Sequence, residues 1–142
     1  MIHLKSQQFV SAENNSTKKE KYSSTNTTEE EIQKICNDIQ NGFVVQKLHQ
    51  NENLTLGDFS SKINYSRHQV TEAISIGLQT NFYDLVNKYR INTFIEILKK
   101  SPNQNITDVF YESGFKSKAT FYKYFKKYQN MSPKAFKDSL TS

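Results

Sequence analysis

The chain has 142 residues and a mass of 16.5 kDa, enough for one ordinary domain or two very small ones. Its mean hydropathy of −0.75 is polar for a globular chain, so part of the length is expected to be unfolded. No apolar run is long enough to cross a membrane, and the first residues, MIHLKSQQFV, lack the apolar core of a signal peptide. The single cysteine, Cys36, excludes a disulfide framework and a cysteine-based zinc site.

The net charge of +5 is concentrated at the C-terminal end. Residues 105–142 carry seven lysines against three acidic residues, whereas residues 51–80 have a net charge of −1. Basic regions of this kind are common in proteins that meet nucleic acid, although charge alone is a weak indicator.

Residues 1–27 are predicted to be a disordered tail or linker, because they hold too few apolar side chains to offset the entropy of ordering. A leading helix follows within residues 28–50, where Thr28 and Glu31 have the spacing of a capping box. Gly42 is expected to end or loosen this helix. Its apolar positions recur with helical spacing at Ile32, Ile35, Cys36, Ile39 and Phe43. Cys36 lies on that stripe, which favours a buried apolar role over a reactive thiol.

Residues 52–80 have the pattern of a helix, a tight turn and a second helix. Thr55 is a suitable N-cap for the first helix, Asn64 suits a left-handed turn, and Ser66 caps the second. The inward positions of that second helix are predicted to be Val70, Ala73 and Ile74. A longer helical pattern then covers residues 81–101 and stops at Ser101-Pro102.

Residues 105–142 repeat the same unit and add a closing helix. Thr107 is the predicted cap of its first helix, Gly114 the turn, and Ser117 the cap of its second helix. Asp58 and Asp108, Asn64 and Gly114, and Tyr65 and Phe115 are each 50 residues apart, and Ser66 and Ser117 are 51 apart. The predicted fold is therefore all-α: two helix-turn-helix subdomains joined by a long linker helix, about seven helices, preceded by the tail and an extra N-terminal helix.

Three stretches of the chain resemble the AraC/XylS family of transcription regulators: LTLGDFSSKINYSRHQV, NFYDLVNKYRI and ITDVFYESGFKSKATFYKYFKKYQNMSPKAFK. The most specific part is GFKSKATFYKYFKK followed by MSPKAF, and the resemblance covers about residues 52–138. It implies a seven-helix DNA-binding domain whose two units enter successive major-groove segments on one face of the DNA.

In the first unit the outward face of the second helix is read by elimination. It holds Arg67, His68, Thr71, Glu72 and Ser75. The resemblance marks His68, Thr71 and Glu72 as base-facing. Three roles remain open for Glu72: reading a cytosine, holding Arg67, or a solvated acid without a role in DNA contact.

In the second unit Phe121 and Phe125 are predicted to face inward. The outward set is Lys118, Ala119, Tyr122, Lys123 and Lys126. Ser66, Ser117 and Thr120 lie at helix N-termini, where they can hold phosphates. A solvated surface is the default interpretation for any single lysine, but five lysines within residues 116–127 favour contact with DNA.

The sequence has no paired acid and base and no activated nucleophile, and His3, His49 and His68 lack metal spacing. We therefore expect no enzyme, cofactor or metal. The predicted function is a sequence-specific DNA-binding transcription regulator in a bacterial cytoplasm, monomeric on double-stranded DNA, with RNA polymerase as a further partner. Two alternatives stay open: a protein-interaction module with weak DNA binding, and the output domain of a longer sensor protein.

Overall fold

The computed structural model describes residues 27–141, and every regular element in that range is helical. Its seven α-helices are α1 (Glu29–Val44), α2 (Leu56–Lys62), α3 (Arg67–Glu72), α4 (Phe82–Lys100), α5 (Ile106–Glu112), α6 (Lys118–Gln129) and α7 (Pro133–Thr141). A 3₁₀ turn covers Leu48–Gln50, and a π-helical turn, Ala73–Gly77, continues α3. The all-α prediction is confirmed, with the leading helix as one of the seven rather than an addition to them. Of the predicted tail, only Thr27 lies among the described residues.

The chain divides into two compact units. Unit 1 runs to Gln46 and resumes over Thr55–Phe82, whereas unit 2 contains Lys47–Leu54 and the chain from Tyr83 onward. The pair α2–α3 lies in unit 1 and the pair α5–α6 in unit 2, and α4 lies between the two pairs in the sequence. No helix of the described part is long and apolar enough to cross a membrane.

The core of unit 1 forms where α1 packs against α2, α3 and the π-helical turn. The five predicted apolar positions of α1 are all buried, Cys36 among them. The Phe43 ring stacks on Phe59 with centroids 4.6 Å apart. The expectation that Gly42 ends or loosens α1 is wrong, since the helix continues to Val44 and Gly42 is buried. A Cβ built there would lie 3.1 Å from Phe59 and Ile63, so the missing side chain allows close packing.

The core of unit 2 is mainly aromatic. Phe121 of α6 lies at its centre: its ring stacks on Phe110 at 4.8 Å and meets Phe94 of α4 at 4.7 Å. Phe125 is also fully buried, as predicted. These phenylalanines fix one face of α6 inward, which determines the residues left on its other face.

Four helices begin at side-chain caps that the sequence predicts. Thr28, Thr55, Ser66 and Ser117 each accept a hydrogen bond from a backbone N–H of the first turn. The prediction of Thr107 is wrong, because the Asn105 side chain accepts from the N–H groups of Thr107 and Asp108. Asn and Thr both suit an N-cap, so residue type alone did not decide between them. Asn105 follows Thr55 by 50 residues, so the repeat offset would have identified it.

Both predicted tight turns adopt the left-handed backbone. Asn64 has a φ of 68° and Gly114 a φ of +109°. A Cβ at Gly114 would also collide with the carbonyl oxygen of His49 and with Nε of Arg90. This turn therefore requires glycine for two independent reasons.

Candidate nucleic-acid interface

The outward face of α3 carries three of the predicted residues, Arg67, His68 and Thr71, all exposed. The helix begins with a complete capping box: the Ser66 hydroxyl accepts from the Gln69 N–H at 3.1 Å, and the Gln69 side chain accepts from the Ser66 N–H at 2.9 Å. Because both bonds close the first turn, the backbone that carries Arg67 and His68 is well fixed.

The expectation that Glu72 faces outward with them is wrong. Glu72 is 9% exposed, and its Oε1 accepts a hydrogen bond from the Thr27 hydroxyl at 2.9 Å. The reason is tertiary: α1 packs against the end of α3, and this packing brings Thr27, two residues before the start of α1, within reach of Glu72. Thr27 belongs to the predicted tail, and no local pattern in the sequence indicates this partner. The exposed face of α3 is consequently free of carboxylate.

The outward face of α6 is as predicted in all five positions. These are Lys118, Ala119, Tyr122, Lys123 and Lys126, all exposed. Ser117 and Thr120 are half-buried at the start of the helix, where the Ser117 hydroxyl accepts from the Thr120 N–H at 3.2 Å. The aromatic inward face and the basic outward face are thus cleanly separated on one helix.

The five lysines of residues 116–127 fall into two groups. Lys116 donates to the side-chain oxygen of Asn53 at 3.0 Å, and Lys127 lies 3.6 Å from a carboxylate oxygen of Asp84. Within residues 27–141 the other three, Lys118, Lys123 and Lys126, form no ion pair. Their ammonium groups are therefore available to an anionic partner.

Asp84, near the start of α4, anchors α6 from its buried side. The Tyr124 hydroxyl donates to the Asp84 carboxylate at 2.6 Å, and Lys127 pairs with the same group. Burial and this hydrogen bond raise the pKa of Tyr124 above its usual value, so the phenol stays protonated and continues to donate.

A buried arginine, which the sequence reasoning missed, supports the turn before α6. Arg90 of α4 donates from Nε to the carbonyl of His49 at 2.8 Å and from Nη2 to the carbonyl of Asn51 at 2.9 Å. Its guanidinium packs beside the Gly114 turn. Burial lowers the pKa of Arg90 below its usual value. The sequence did contain a signal for this role, because Arg90 is in helical register with the buried positions of α4. A guanidinium buried there needs hydrogen-bond acceptors nearby.

His49, whose carbonyl accepts from Arg90, is itself buried. Its Nε2 lies 2.6 Å from the Thr93 hydroxyl. Burial, aided by the charges of Arg90 and Lys47, lowers the pKa of His49 to about 4. Across residues 27–141, no three His, Cys, Asp or Glu side chains are grouped to hold a metal ion.

Comparison with known proteins gives the family. A family described as a helix-turn-helix domain matches residues 59–139, more than half of the chain. The chain belongs to the AraC/XylS family. The family assignment based on the sequence is confirmed.

This AraC/XylS member also resembles a small part of two much longer proteins. Uncharacterised HTH-type transcriptional regulators of Staphylococcus aureus strains COL and MSSA476 are each 24% identical over 109 residues. That match covers 77% of this chain but only 14% of either relative, so the chain spans a small part of their length.

Two solved structures share the fold. The C-terminal domain of AraT, a response regulator from Geobacillus stearothermophilus, has a TM-score of 0.61 at 23% identity, covering 74% of this chain and 84% of that one. A protein of unknown function from Listeria innocua has a TM-score of 0.60 at 22% identity, covering 71% and 95%.

Proposed function

We propose that this chain is a sequence-specific DNA-binding regulator of transcription whose helices α3 and α6 read two successive major-groove segments. The observation that carries the proposal is the outward face of α6, where three lysines without an ion pair in the described part of the chain flank Ala119 and Tyr122. Lysine suits guanine O6/N7 or a phosphate, and alanine suits a thymine methyl. A helix face with these side chains can contact both the edge of a base pair and the neighbouring DNA phosphates.

In the first unit the proposed contacts come from α3. His68 and Thr71 would contact base edges, and Arg67 would contact a guanine or a phosphate. Phosphates would also be held at the start of each helix, by Ser66 at α3 and by Ser117 and Thr120 at α6. The proposed location is the bacterial cytoplasm, with double-stranded DNA as the main partner and RNA polymerase as a second.

The competing function is a protein-interaction module with weak DNA binding. Its support was the net charge of −1 on residues 51–80 together with Glu72 on the DNA-facing surface. Because Glu72 is buried against Thr27, only the first of these remains. Phosphate neutralisation gives DNA binding a steep dependence on salt, whereas a protein-only module would show none.

The chain matches a small part of much longer regulators, which favours the same DNA-binding function within a larger protein. In that context the domain is the DNA-binding output of a longer sensor protein. Joining it to an upstream domain would add a signal without altering the contacts proposed for α3 and α6.

The test is selection of bound sequences from a random DNA pool, followed by binding of the selected site over a range of salt concentrations. Replacing Lys118 or Lys123 by Ala should cost about 1–3 kcal/mol if the side chain reads a base. If it holds a phosphate, the log–log salt slope should instead become shallower by about 1.

The matched control is Lys99→Ala, which removes an exposed lysine from the end of α4 and leaves α6 intact. This variant should keep the selected sequence and nearly the original salt slope. Absence of any effect from both Lys118→Ala and Lys123→Ala would mean that DNA meets another face. Absence of selection by the unmodified chain would contradict sequence-specific binding itself.

A further inference from the structure

The contact between Thr27 and Glu72 joins the residue before the N-cap of α1 to the last residue of α3, 45 positions later in the chain. The hydroxyl donates to the carboxylate at 2.9 Å. Thr27 is held in place because its neighbour Thr28 forms a complete capping box with Glu31. A fixed backbone therefore presents this hydroxyl to Glu72.

Two further contacts fix the same end of α3 against α1. The Cys36 thiol lies 3.4 Å from the carbonyl oxygen of Ala73, the residue after Glu72. At Gly77, the last residue of the π-helical turn, a Cβ would come within 2.5 Å of the Cys36 sulfur. Since this packing leaves little freedom, the position of the Glu72 backbone follows that of α1.

A carboxylate released at this position would act against DNA binding. It would repel phosphates, and its favourable partners would be limited to a base amino group, typically that of cytosine, or a nearby cation. Arg67 is five residues away on the helix, outside the usual spacing of three or four for an ion pair. Bonding to Thr27 keeps the charge off the face that holds His68 and Thr71.

We infer that Thr27 is a positioning residue for DNA recognition: its hydrogen bond withdraws the Glu72 carboxylate from the DNA-facing side of α3. The inference rests on the function proposed above. On this inference Glu72 contacts no base. Thr27, which lies outside both helix-turn-helix pairs, then affects the DNA affinity of the first unit.

The test uses the full chain on its selected DNA site. Thr27→Val removes the hydroxyl at nearly constant volume and should weaken binding about fivefold to tenfold, because the carboxylate loses its partner. Thr27→Val should also change the base preference of the chain, and it should do so at the same base pairs as His68→Ala. Thr27→Ser keeps the hydroxyl and should bind as the unmodified chain does.

The double variant Thr27→Val with Glu72→Gln separates charge from packing. Without the charge there is nothing to withdraw, so this variant should regain binding to within about twofold of the unmodified chain. Thr107→Val is the control, an exposed threonine of α5 in unit 2, and should have no effect. Thermal unfolding followed by circular dichroism verifies that each variant is folded, with Thr27→Ala as a substitute if the valine variant is not.

Three outcomes would overturn the inference, and they have different consequences for the proposed function. If the unmodified chain selects a DNA sequence but Thr27→Val binds it equally well, only the inference is wrong. The same holds if Glu72→Gln fails to rescue Thr27→Val, since the loss then reflects packing. If the unmodified chain selects no sequence, the proposed function and this inference both fail.

Discussion

At the scale of single residues, His49 shows how burial turns an ordinary side chain into a pH-dependent contribution to stability. Its pKa is lowered to about 4 from an ordinary value near 6.5. Between these two values the unfolded chain binds a proton that the folded chain does not. The contribution of His49 is therefore complete above pH 6.5, and it is lost as the pH falls toward 4.

We expect this residue alone to cost about 2 kcal/mol of the free energy of unfolding between pH 7 and pH 5. Urea unfolding at the two pH values measures the loss. Carboxylates that titrate over the same range are present in every variant, so their contribution cancels when variants are compared. In His49→Gln, whose amide can still pair with Thr93, the decrease should be smaller by that amount. An equal decrease in both proteins would contradict the lowered pKa, because His49 would then be protonated at pH 5 in the folded chain as it is in the unfolded chain.

Glu72 and Asn105 show where reasoning about single residues failed, and for different reasons. Helical spacing put Glu72 on the outward face of α3, which is wrong, because its partner Thr27 lies 45 residues away in the chain. Asn105 competes with Thr107 for one role, and both residue types suit it. For Asn105 the information was present in the repeat, whereas for Glu72 it was absent.

At the scale of secondary-structure elements, the close contact between α1 and the π-helical turn predicts a severe response at Gly77. A Cβ there would lie 2.5 Å from the Cys36 sulfur and 3.1 Å from Ile32. Gly77→Ala should therefore lower the free energy of unfolding by about 1–3 kcal/mol, because the core has no space for another methyl group.

Gly57→Ala is the matched control for Gly77→Ala. A Cβ at Gly57 would approach no closer than 3.7 Å to Arg67, an ordinary contact, and alanine favours a helix over glycine. This variant should be unchanged or more stable by up to about 1 kcal/mol. Chemical denaturation measures both variants.

The Cys36 thiol provides a second measurement of the same contact. Burial raises the pKa of Cys36 to about 12, so a thiol reagent should react slowly with the folded chain. Gly77→Ala should accelerate that reaction and Gly57→Ala should not. Equal stability and equal reactivity in the two variants would contradict the close packing of α1 on the turn.

At the scale of the whole molecule, one chain carries two helix-turn-helix pairs, one in each compact unit. A protein with two recognition helices needs no second copy to contact two groove segments, and the sequence shows no heptad seam for dimerisation. We therefore expect one chain to bind an asymmetric site of about two helical turns.

Sedimentation of the complex with the selected DNA measures this stoichiometry. One 16.5 kDa chain per site is the expected result. A shortened DNA with only half of the site should still bind one chain, but more weakly. An obligate dimer on a palindromic site would contradict the prediction.

The sequence by itself determined the features that are encoded within one or two helical turns. The stripe of α1, the caps at Thr28, Thr55, Ser66 and Ser117 and the left-handed turns were all predictable in this way. The outward face of α6 was predictable as well, because burying Phe121 and Phe125 leaves only one orientation for that helix.

Only the tertiary structure decided the contacts between residues about 40 or more positions apart. Thr27 with Glu72 and Arg90 with the carbonyl of His49 are of this kind, and each fixes a polar group near a proposed recognition helix. A buried polar group must find a partner, but its chemistry does not say which one. The packing of the helices selects that partner, so these contacts become readable only once the chain is folded.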